Sequence, residues 1–168
     1  PLSSFKQGTL CAESVLDLFI GNSAGAIGEV SSFLLLIGAA YLLFRKVISW
    51  EIPTAYLGTV ALFAFIFPRI GGADRFSNVM LELLSGGLIF AAFFMATDYV
   101  TSPVTKVGRL IFGFGCGLIT VFIRRFGGYA EGASFSILIM NSLVCFIDKY
   151  TAPRIFGRRR GKEREKNV

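Results

Sequence analysis

The sequence predicts an all-α integral membrane protein, and three observations carry that prediction. Hydrophobic residues make up 54% of the chain, 18 of its 168 residues are Phe, and the mean hydropathy is +0.65. Only 17% of residues are charged, against roughly a quarter in soluble domains. Apolar runs recur along the chain, separated by short connections rich in Gly, Pro and charge. The same composition excludes several chemistries. There is no His, which removes His-ligated metal sites, Ser-His-Asp triads and His general bases. The net charge of +6 is concentrated in residues 149–168 rather than spread over a face, so it reads as topology and no nucleic-acid partner is expected. Cys11, Cys116 and Cys145 lack CxxC spacing and read as inert thiols or as ligands to a cluster shared with another subunit; no metal site is expected within the chain.

Taken in order, residues 1–26 form a mixed, interfacial segment. Its apolar stretch Val15-Leu16-Asp17-Leu18-Phe19-Ile20 is too short to span and is closed by Gly21-Asn22-Ser23-Ala24-Gly25, which suits a re-entrant or surface turn of helix. Pro1 is preceded by no Met and followed by no signal-peptide pattern, so a fragment of a longer protein is expected. Residues 27–148 form the transmembrane domain, with five spans expected. The first, 27–44, stops at Arg45-Lys46, and Trp50 suits the headgroup belt. Pro53 opens the second, 54–67, at a position a helix tolerates, and Pro68 closes it. Residues 69–78 read as a polar connection. The third span, 79–97, carries Glu82 and Ser85-Gly86-Gly87; two adjacent glycines at mid-membrane mark a close helix crossing or a broken helix. The fourth, 110–123, carries Gly113-x-x-x-Gly117, the pattern of a helix contact face, and no strand precedes it to support a dinucleotide fold. The fifth is 133–147, and residues 149–168 form a basic tail.

Counting Lys and Arg over the loops sets twelve on the side of the C-terminus against five on the other, so a cytoplasmic tail and an extracytoplasmic Pro1 are expected. Residues 68–78 and 124–132 then face outward, and residues 97–107 face the cytoplasm. An odd number of spans would place two tandem units in opposite orientations, as in inverted-repeat transporters. Three of the spans are about 14 or 15 residues, roughly 21 to 23 Å, shorter than the hydrocarbon core of about 30 Å.

Two loops carry the polar groups with chemical potential. One is Met95-Ala96-Thr97-Asp98-Tyr99-Val100-Thr101-Ser102-Pro103; the other is Gly127-Gly128-Tyr129-Ala130-Glu131-Gly132-Ala133-Ser134-Phe135-Ser136-Ile137-Leu138-Ile139-Met140-Asn141. At both, the sequence resembles the D subunit of the Rnf ferredoxin:NAD oxidoreductase, which is similar to the B subunit of the sodium-pumping NADH:quinone reductase. The resemblance covers nearly all of the chain apart from the basic tail. It implies the C-terminal half of a bacterial inner-membrane subunit built as a urea-transporter-like inverted repeat. It also implies a place in a multi-subunit complex that couples electron transfer to Na+ or H+ translocation, with a second flavin-bearing subunit as partner and no catalysis by this subunit alone. The family carries FMN as a phosphoester on the Thr of a Ser-Gly-Ala-Thr sequence followed by Pro-Leu. Since the chain opens Pro1-Leu2-Ser3-Ser4-Phe5-Lys6-Gln7-Gly8, that Thr is expected immediately before Pro1, and Thr9 lacks the motif.

Each candidate residue has a functional and a structural reading. Arg124 and Arg125, with Gly127, Gly128, Tyr129 and Glu131, could cradle the flavin through paired donors, close backbone amides and a stacking ring; the alternative is an Arg pair meeting lipid phosphates. Thr97, Asp98, Thr101 and Ser102 read as a cytoplasmic polar site for a cation or a second, non-covalent flavin such as riboflavin, or else as a helix-capping loop. Glu82 and Asp148 are candidates for an ion path, with an Asp148–Lys149 surface ion pair as the plainer reading. A solute permease of the same fold, with its site at Gly86-Gly87, is the alternative function.

Overall fold

A computed structural model describes residues 19–20, 31–68, 75–127 and 131–152. The expectations for residues 1–18 and 21–30, for residues 69–74 of the polar connection, for Gly128 and Tyr129, and for the tail beyond residue 152 lie outside the described residues. The described elements are helical, without a strand among them: α1 (Ser32–Phe44), α2 (Glu51–Ile66), α3 (Arg75–Leu84), α4 (Leu88–Phe90) continued by a π-helical turn (Ala91–Met95), α5 (Lys106–Phe126) and α6 (Ala133–Thr151).

Each boundary has a local cause. Ser31 caps α1 by accepting the amide of Leu34 at 3.4 Å. At the other end of α1, Lys46 adopts φ 55°, and the amides of Lys46 and Val47 return to Leu43 and Leu42, which closes the helix as a Schellman turn. Pro53 lies within the first turn of α2, where its missing N–H removes no helical bond. Thr105 caps α5 by accepting the Gly108 amide at 3.0 Å.

The third expected span is corrected. Its helix begins at Arg75, inside the stretch expected to be a polar connection, and ends at Leu84; after the break, α4 and the π turn depart at 67°. Gly86, at φ 72°, supplies a left-handed residue that a helix cannot contain. The fourth and fifth spans are longer than expected, 21 and 19 residues, and both are long and apolar enough to cross a membrane. The bent pair counts as a third span if taken together, while α1 and α2 are apolar but shorter. Among the described residues there are thus two or three membrane-length spans, in a helical membrane protein.

α5 is the centre of the packing. A Cβ on Gly113 would meet Ile52 O at 2.7 Å and Ala55 Cβ at 2.8 Å, and one on Gly117 would meet Thr59 Cβ at 2.7 Å, so the two glycines seat α5 directly on α2. The partners advance together along both helices, which makes α2 and α5 parallel. On the opposite side of α5, Gly115 admits the end of the Met140 side chain from α6. Ile52, Tyr56, Val60, Leu88, Ala92, Phe112 and Cys116 form the buried core, while Leu34, Phe44, Phe122 and Leu138 point outward as a lipid-facing surface would.

Candidate functional site

The break between α3 and α4 gathers the polar residues of the distal end of α5. Arg124 lies in the last turn of α5 and is 1% exposed. Its Nη1 donates to Glu82 O at 2.8 Å and its Nη2 to Ser85 O at 3.1 Å. Those carbonyls belong to the open C-terminal turn of α3, where partial negative charge accumulates and a cation is favourable. Glu131, just before α6, accepts the amide of Gly87 at the start of α4, where an anion is favourable. Arg124 and Glu131 therefore clamp the two sides of one break with complementary charge. Each bond to a charged group contributes about 1.5 to 3 kcal/mol.

Arg125 repeats the device one residue on. Its Nη2 donates to Phe67 O, at the C-terminal end of α2, and its guanidinium lies over the Phe67 ring at 5.6 Å from the centroid. The two adjacent arginines thus hold the C-termini of two different helices.

Among the described residues, the groups expected to cradle a flavin are engaged within the protein. Both terminal nitrogens of the buried Arg124 are turned to main-chain carbonyls, Arg125 is turned to Phe67, and Glu131 presents a carboxylate engaged with Gly87. The amide of Gly127 returns to Ile123 O at 2.8 Å as the cap of α5.

The second loop lies at the other end of α5. Thr97 donates to Phe93 O at 2.6 Å, Thr101 to Asp98 Oδ2 at 3.3 Å, and the Ser102 amide to Asp98 O at 3.1 Å. Asp98 is exposed, and these bonds close the loop on itself. Asp148 accepts the Val104 amide at 3.2 Å, and Thr105 donates to Thr151 Oγ1 at 2.6 Å, so the end of α6 is pinned to this loop. Among the described residues the ion pair found is Arg109–Glu51, at 3.9 Å, and not Asp148–Lys149. Glu82 and Asp148 lie at opposite ends of α5, separated by about 27 Å of helix rise at ~1.5 Å per residue. The structure does not bring the two candidate ion-path residues together.

A third polar cluster was not apparent in the sequence. Tyr56 Oη lies 2.7 Å from Thr120 Oγ1 and 3.2 Å from Ser136 Oγ, and Thr120 Oγ1 lies 2.8 Å from Ser136 Oγ. This buried hydroxyl triangle joins α2, α5 and α6. Thr120 and Ser136 also donate to Cys116 O and Ala133 O at 2.8 and 2.7 Å, so every proton has an acceptor. The signal in the sequence was a single hydroxyl-bearing residue from each of three apolar runs.

Known proteins share much of this sequence. Over 160 residues the chain is 48% identical to the D subunit of the Na(+)-translocating ferredoxin:NAD(+) oxidoreductase complex of Acetobacterium woodii, covering 94% of this chain and 48% of that protein. It is 44% identical over 143 residues to the D subunit of the proton-translocating ferredoxin:NAD(+) oxidoreductase complex of Clostridium ljungdahlii, covering 85% and 43% of the two chains. The D subunit of the ion-translocating oxidoreductase complex of Halorhodospira halophila is 41% identical over 141 residues, covering 84% and 39%. The chain spans about half the length of the curated relatives it matches. With residues 1–157 matching the family profile, the chain belongs to the NQR2, RnfD, RnfE family.

Proposed function

We propose that this chain is part of the D subunit of a bacterial ion-translocating ferredoxin:NAD(+) oxidoreductase complex, and that it serves electron transfer coupled to Na+ or H+ movement. The observation that carries this reading is the 48% identity, over 94% of the chain, to the D subunit of such a complex. In this reading the subunit is multi-pass in the inner membrane, with its C-terminus in the cytoplasm. Its five spans are one half of a urea-transporter-like inverted repeat, in which the bent α3–α4 pair serves as one span and α1 and α2 as short ones. The subunit is not catalytic alone; it works against other membrane subunits, one of which carries a second flavin. FMN, attached to a threonine N-terminal to Pro1, supplies the one- and two-electron chemistry when bound, with riboflavin as a further flavin. This chain's own residues supply the scaffold: the arginine pair fixes two helix ends at the flavin-bearing side, and the loop of residues 97–105 is pinned to α6 at the other.

The test is a complex containing the complete subunit, reconstituted in vesicles with ferredoxin as donor and NAD(+) as acceptor. Ion uptake driven by electron flow should disappear when this subunit is omitted, and the denatured subunit should fluoresce as a flavoprotein on a gel. Full coupled uptake by a complex assembled without it would overturn the reading. A flavin-free complete subunit that moves a solute across the membrane would favour the permease.

A further inference from the structure

α3 buries polar side chains. Asn78, Glu82 and Ser85 recur at i, i+4 and i+7 and are 2%, 4% and 0% exposed, while Phe76 is 68% exposed. In a lipid-facing protein this directs the polar stripe toward the protein interior, at the break clamped by Arg124 and Glu131. Two atoms of the stripe, Glu82 Oε1 and Ser85 Oγ, are buried without a hydrogen-bond partner among the described residues. A carboxylate oxygen in that state is costly unless a positive charge or a proton joins it.

The charges around the break can be enumerated element by element. α3 contributes Glu82, α5 contributes Arg124, and the approach to α6 contributes Glu131. α1 and α4 carry no charged residue. Arg125 is turned to the end of α2, and Arg75 is exposed and lies over the Phe65 ring at 5.7 Å. Glu51, Lys106, Arg109, Asp148 and Lys149 belong to the opposite end of the bundle. Among the described residues, the break thus gathers one positive and two negative side chains. Arg124 already holds the two carbonyls of the break, and among the described residues the carboxylate of Glu82 and the hydroxyl of Ser85 are buried oxygens there still without a partner.

We infer that Glu82 and Ser85 form an exchange site for one monovalent cation, Na+ or H+, at the α3–α4 break. The chemistry common to both ions is one positive charge carried on a Glu82 oxygen, which offsets the carboxylate's own buried charge, with the Ser85 hydroxyl lending lone pairs. The inference rests on the ion-translocating function proposed for the chain and gives that function a site.

The test uses the complete complex and a hydrophobic carbodiimide, with the modified residue located by mass spectrometry. Glu82 should be labelled. Protection by NaCl, several-fold over equal KCl at fixed pH, identifies the ion as Na+; labelling that falls with rising pH and ignores Na+ identifies it as H+. For the Na+ case, Ser85→Ala should raise the protecting Na+ concentration several-fold. The Glu82→Gln complex should lose redox-driven ion uptake at least tenfold while keeping its subunit and flavin content; if it fails to assemble, labelling of the unmodified complex decides. An assembled Glu82→Gln complex with wild-type uptake overturns the site, as does a Glu82 that is never labelled, or is labelled regardless of both Na+ and pH. If the unmodified complex moves no ion at all, the translocation reading fails, while protection of Glu82 still reports on the site.

Discussion

At the scale of single residues, Arg124 and the Tyr56–Thr120–Ser136 hydroxyls show how buried polar groups of this bundle are tied to backbone or to one another. Arg124 satisfies two carbonyls that a broken helix would otherwise leave bare. In the hydroxyl triangle, Ser136 and Thr120 donate to carbonyls of their own helices, so Tyr56 Oη donates across to Thr120. Removing that donor strands neither of the other protons. Tyr56→Phe should therefore cost about 1 kcal/mol, in the range of hydrogen bonds inside membrane bundles. Thermal unfolding of the purified subunit in detergent checks it: a midpoint lowered by a few degrees is expected, and no shift would mean that the triangle does not tie the three helices.

At the scale of elements, two glycines separate conformation from space. Gly58 sits in α2 with nothing within 4 Å of the position a methyl group would take, so Gly58→Ala gains helix propensity without a clash and should stabilise by about 0.5 to 1 kcal/mol. Gly86 sits at φ 72°, where an L side chain costs about 1 to 2 kcal/mol. Gly86→Ala should destabilise by that amount and loosen the bonds of Arg124 and Glu131 across the break. The two variants, compared by the same unfolding measurement, should move in opposite directions; equal shifts would contradict the left-handed backbone at Gly86.

For the whole molecule, α2 and α5 run parallel, α6 runs back antiparallel to α5, and the exposed residues Val100 and Phe126 fall at opposite ends of the bundle. Single cysteines placed there by Val100→Cys and Phe126→Cys, with Cys11, Cys116 and Cys145 replaced, should react with impermeant thiol reagents from opposite sides of the membrane. Position 100 should be open from the cytoplasm and position 126 from outside. Reaction of both from one side would refute the arrangement.

Composition and hydropathy were enough to establish a helical membrane protein, because burial in lipid is a property of whole segments. The contact face at Gly113 and Gly117 was legible because two absent side chains, spaced one turn apart, let helices meet. The motifs around residues 95–103 and 127–141 were enough for the family. What Arg124, Arg125 and Glu131 do was not legible. Their carbonyl and amide partners lie 39 to 58 residues away, and a sequence pattern does not encode which helix end a long side chain reaches. The broken helix was half legible: Gly86-Gly87 marked the place, but only the packing of α5 against it decided that the chain bends there and that the open carbonyls are capped by a guanidinium. The same tertiary placement turned Glu82 from one acidic residue in an apolar run into a buried carboxylate beside a balanced pair of charges, since burial and net local charge exist only once the helices are assembled.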